Sequence, residues 1–76
     1  MRVEYFTEQG EPCPASQAPY RALIDERTSR VLLDAKCGLR AYDWKSISEV
    51  GSVEEAHKAA IIYAFNMRAW WEAMKQ

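Results

Sequence analysis

His57, Cys13 and Cys37 are the residues of this chain whose chemistry could make or break a covalent bond, with a thiol as nucleophile and the imidazole as its base. Such catalysis also needs a group that orients the base and a site for the oxyanion, and no motif in the 76 residues marks either. The single histidine lies among Ala56, Lys58 and Ala59, the setting of a solvated or boundary imidazole. Cys13 and Cys37 stand too far apart in sequence for a zinc knuckle or a redox pair, and a reducing compartment would keep them as thiols. Gly10, Gly38 and Gly51 occur singly, so no phosphate-cradling loop is present, and metal ligands at usable spacing are missing too. These features predict a protein that is not an enzyme and takes no cofactor, metal or small-molecule substrate.

A second possible chemistry is contact with nucleic acid. Arg21, Arg40 and Lys45 lie near Tyr42 and Trp44, and on an open sheet face the cations could meet phosphates while the rings stack on bases. In an extended chain Arg40, Tyr42 and Trp44 share one face, and Arg21 shares one with Leu23. Ten Lys and Arg are balanced by eleven Asp and Glu, however, and a net charge of −1 removes the long-range attraction that drives nonspecific binding. A nucleic-acid-binding module is therefore the alternative function rather than the first.

The element that dominates the sequence is a helix expected from Ser52 to Lys75. Gly51 ends the preceding segment, Ser52 can cap the free amides, and Glu55 three residues later fits a capping box. Val53, Ala56, Ala60, Tyr63, Met67, Trp70 and Met74 follow steps of three and four, with Ala64 and Trp71 on the same side, and are expected to face the core. At about 100° per residue, Ile62, Phe65 and Ala69 point nearly the opposite way, with Ile61 on a flank. The run Ala59 to Phe65 leaves no polar position, and a helix apolar all round is covered on more than one side. Adjacent Trp70 and Trp71 diverge, so one can reach the rim of a contact, with Arg68 available for an ion pair.

Ahead of the helix, residues 1–7 suggest a first strand, and residues 8–19, rich in Pro and Gly, suggest an extended and mobile loop. Residues 20–45 suggest a meander: strands over Tyr20 to Asp25 and Arg30 to Ala35 joined by a polar hairpin connection, then Lys36-Cys37-Gly38 as a turn and Leu39 to Trp44 as a further strand. Ile47 and Val50, spaced by three, suggest a short connecting turn before the helix cap. The expected fold is a single α+β domain, an antiparallel sheet of three or four strands with one face on the C-terminal helix and the other open, in the order β-β-β-β-α.

That order and size resemble the small sheet-plus-helix proteins of toxin–antitoxin systems, the arm-binding domains of phage integrases and some phage-encoded anti-CRISPR inhibitors. The likeness covers element order and size alone. The chain opens without the apolar run of a signal peptide and holds no stretch of about 20 apolar residues, so a cytoplasmic protein without a membrane segment is expected. A domain of this length buries little surface, and help from a partner is expected. The surplus apolar residues point to protein association through Ile61, Ile62, Phe65, Arg68, Ala69, Trp70 and Trp71: a homodimer in which Phe65 meets Ile62 or Ala69 of the other copy, or docking on a different protein. The expected function is a small inhibitor, of phage or mobile-element type, that acts by steric occupation of a partner protein.

Overall fold

Strands form where apolar and polar residues alternate. The computed structural model describes residues 1–75, with β1 (Arg2–Phe6), β2 (Tyr20–Asp25), β3 (Arg30–Lys36) and β4 (Trp44–Val50) followed by α1 (Val53–Met74). The strands pair in chain order, each antiparallel to the next, so the expected β-β-β-β-α architecture is the one observed. In β2, Tyr20, Ala22 and Ile24 face the helix while Arg21, Leu23 and Asp25 face the other way. Register carries the same faces across the sheet, pairing Phe6 with Tyr20, Tyr20 with Ala35, and Ala22 with Leu33.

The fourth strand differs from expectation. Residues 37–43, expected to begin a strand at Leu39, form a tight turn instead: the Asp43 carboxylate accepts from the Arg40 amide at 3.0 Å, and the Cys37 amide donates to the Asp43 carbonyl at 2.9 Å. β4 begins only at Trp44 and includes Ile47 and Val50. Leu33 pairs with Ser48 and Asp34 with Ser46, so Ile47 is the extra residue of a β-bulge. The bulge turns both Ile47 and Val50 toward the core, which is why their spacing of three looked like a turn rather than a strand.

Residues 8–19 are anchored rather than loose. Thr7 Oγ1 accepts from the amides of Gln9 and Glu11 at 3.3 and 3.2 Å, and Gly10 turns the chain with a φ of 81°, a conformation open to glycine. The segment then runs back along β1, where Pro12 bridges Phe6 and the Cys13 amide donates to Tyr5 at 3.2 Å. Ala18 is buried at its end.

Ser52 caps α1, its hydroxyl accepting from the Glu55 amide at 3.1 Å. Glu55 closes the turn on the Gly51 amide at 2.9 Å, one residue before the cap. Ala56, Ala60 and Ala64 are the buried residues of the helix, and their small side chains let its backbone lie close to Leu33 and Phe6, the largest fully buried side chains. Val53, Ala59 and Tyr63 pack at the margin. The expected core stripe stops there. Met67, Trp70, Trp71 and Met74 are exposed although they continue on the same side, because the 22-residue helix spans about 33 Å and runs past the end of the sheet. The long dimension of 46 Å, against 25 and 19 Å, reflects that overhang. Among the described residues no helix is long and apolar enough to cross a membrane.

Candidate protein-interaction surface

From Phe65 to Lys75 every residue of the chain is exposed, so the last three turns of helix stand free of the sheet. Two apolar strips run along this part. The outer one holds Ile61, Ile62, Phe65 and Ala69, with Ile62 and Phe65 at 60% and 68% exposure. The inner one holds Met67, Trp70, Trp71 and Met74, in line with the buried alanines. Seven large apolar side chains across both strips are 46% to 68% exposed, equivalent to about four whole side chains, or roughly 800 Å² at about 200 Å² each. The strips point to nearly opposite sides, the outer holding roughly 350 Å² and the inner roughly 450 Å², each the size of the largest apolar patch of an ordinary monomer, roughly 300–600 Å² and often functional. Tyr63, Asn66, Met67 and Trp70 line an open apolar groove of about 410 Å³ where the inner strip leaves the sheet.

Arg68, expected to be available for an ion pair, makes one within its own chain: its guanidinium lies 3.6 Å from Glu8 and joins the Thr7–Gly10 turn to the helix. Beneath this pair the Tyr20 ring meets Tyr63 edge-on at 6.3 Å. Burial pushes the Tyr20 hydroxyl above its ordinary pKa; Glu8 and Tyr63 add to the shift and Arg68 opposes it. His57 sets its ring against Phe6 at 4.5 Å and close to Gly10, a packing position at the helix margin. Cys13 is half-buried and Cys37 exposed, both as thiols. Among the described residues no cluster of three potential metal ligands occurs.

The open sheet face brings together only part of the expected cationic and aromatic set. Arg21 stacks on Trp44 at 4.6 Å and pairs with the buried Asp34 at 2.9 Å, while Trp44 Nε1 donates to Ala41 at 3.0 Å. Arg40 and Tyr42 lie in the 37–43 turn, not on a strand beside Trp44, because the Asp43 hydrogen bonds close that turn; the Arg40 guanidinium donates to the Tyr42 hydroxyl at 2.8 Å. Lys45 pairs with Ala35 and so belongs to the helix side of the sheet. Two residues that sequence reasoning left out complete the cluster: Lys36, 4.9 Å from the Trp44 ring, and Tyr5, whose ring lies 6.0 Å from it. Trp44 thus stands between two cations and, with Tyr5 and Lys36, lines an open pocket of about 400 Å³. Tyr5 was legible from its alternation with Val3, and Lys36 from its place across the turn from Trp44.

Compared with known proteins, the chain matches no family model, no curated protein and no solved structure.

Proposed function

We propose that this chain is a non-enzymatic protein-interaction module whose projecting helix docks on another protein, and that it acts as a small inhibitor by covering the surface it binds. The observation that carries the proposal is the roughly 800 Å² of large apolar side chains left in water on two sides of α1, each strip the size of an apolar patch that marks a binding site. Ile61, Ile62, Phe65 and Ala69 form the docking strip, and Trp70 and Trp71 extend it toward the helix end, the aromatic composition typical of residues that dominate binding. Arg68 supports the site by holding the loop against the helix. The resemblance in size and element order to phage-encoded inhibitors is in keeping with this role.

The test is co-purification from the native host with wild type and with Ile62→Glu and Phe65→Glu. Both residues are more than half exposed, so the variants are expected to keep the wild-type circular dichroism spectrum while losing the bound protein. Unchanged recovery of the same partner by both variants would overturn the proposal.

A further inference from the structure

We infer that the inner strip of the overhang is the seat of a second copy of this chain, held as an antiparallel helix pair across a two-fold axis between Trp70 and Trp71. The inference rests on the reading of α1 as a docking element and assigns its two strips to different occupants.

Spacing identifies the kind of partner. Ala56, Ala60, Tyr63, Met67, Trp70 and Met74 keep the alternating steps of four and three that let side chains of one helix seat between those of another. The sheet covers this seam as far as Ala64, and beyond that point the same seam is bare. A helix is the element whose side-chain period matches it, and the described residues hold one helix, which is the part left uncovered.

Sterics then choose the direction. In a parallel pair the sheet lying under Ala56, Ala60 and Ala64 of one copy would occupy the space needed by the partner helix. In an antiparallel pair the two sheets lie at opposite ends, and only the free turns overlap, over about 15 Å. Centred between Trp70 and Trp71, that register sets Met67 against Met74 of the second copy and gathers four indoles at the middle of the contact, with the groove beside Tyr63 and Asn66 open to receive one of them. Arg68 and Lys75 lie on one flank of the seam and Asn66 and Ala73 on the other, and the two-fold sets each flank beside itself, so Arg68 of one copy comes to the side of Lys75 of the other; each is already paired within its own chain, with Glu8 at 3.6 Å and Glu72 at 3.7 Å. The four seam side chains contribute about two whole side chains of exposed area per copy, roughly 450 Å², and Tyr63, Asn66 and Ala73 at the flanks bring the contact to the lower end of standard size. The dimer is therefore concentration-dependent; it takes Trp70 and Trp71 out of the docking surface and leaves the outer strip of Ile61, Ile62, Phe65 and Ala69 for the partner protein.

Sedimentation equilibrium of the full chain from micromolar to millimolar concentration, on Cys13→Ser/Cys37→Ser protein, reads the outcome without any target. The expected result is a monomer–dimer equilibrium whose dissociation constant rises about 100-fold in Met67→Glu and in Met74→Glu, both folded by circular dichroism, and stays unchanged in Phe65→Glu. Asn66→Cys combined with Ala73→Cys is expected to oxidise to a covalent dimer that neither single substitution gives. A wild-type monomer throughout, a dimer dissolved by Phe65→Glu but not by Met67→Glu, or cross-linking by Asn66→Cys alone would each overturn the inference. Failure here leaves the outer strip's docking to be judged by its own co-purification, and retained dimerisation with lost target recovery in Phe65→Glu separates the two.

Discussion

Ala60→Val tests whether small side chains on the helix set its distance from the sheet. Ala60 is 1% exposed and packs over the core between Ala56 and Ala64, so two added methyl groups have no free volume to enter. Overpacking of a filled core costs about 1–3 kcal/mol, and the poorer helix propensity of valine adds roughly 0.6 kcal/mol. Together these destabilise by about 2.5 kcal/mol, a large share of the roughly 5 kcal/mol that a domain of this size possesses. The control is Ala69→Val, on the exposed outer side of the same helix, where only the propensity effect of roughly 0.6 kcal/mol applies. Urea unfolding followed by circular dichroism, at one protein concentration because association shifts apparent stability, measures both. A thermal scan is expected to show Ala60→Val melting roughly 13 °C below wild type and Ala69→Val only about 3 °C below. Equal losses in the two variants would refute the close approach of helix and sheet at Ala60.

Arg21→Ala removes the partner of the buried Asp34 carboxylate and is expected to destabilise by about 3 kcal/mol, the lower end for breaking a buried pair because Arg21 is itself a quarter exposed; Arg21→Met with Asp34→Leu, in the same denaturation assay, should be milder than Arg21→Ala alone. Ser52→Ala leaves the Glu55 amide without its acceptor and is expected to lose about 1 kcal/mol in urea unfolding. Because Tyr20 holds its proton more tightly when folded, the unfolded chain ionises first, so the stabilisation is complete below the ordinary tyrosine pKa of about 10 and falls as pH rises beyond it. Thermal unfolding between neutral pH and about pH 11 should show that decline in wild type and a shallower one in Tyr20→Phe.

Local periodicity made β2, β3 and the start of α1 legible, since the alternation of Tyr20, Ala22 and Ile24 and the Ser52–Glu55 spacing carry their own geometry. β4 was hidden because a bulge breaks the period of two at Ile47, and a bulge depends on the partner strand rather than on the strand's own residues. The anchoring of residues 8–19 depends likewise on contacts remote in sequence, Glu8 with Arg68 and Cys13 with Tyr5. At the candidate site the two apolar sides of the helix were readable, but where shelter ends was not. Met67 and Trp70 carry the same pattern as Ala60, and nothing in periodicity says how far a sheet extends beneath it.

The exposed turns beyond Arg68 have a consequence for motion. Trp70 to Met74 are all exposed, no basic residue lies in the final turn of α1, and an isolated helical stretch of this length is marginal in water. Amide hydrogen exchange should therefore follow a gradient along one continuous rod, slow near Ala60 and approaching unprotected rates toward Lys75. Whatever binds the tip must first arrest its fraying, so capture of this segment carries an entropic penalty that slows exchange there before it changes anything in the sheet.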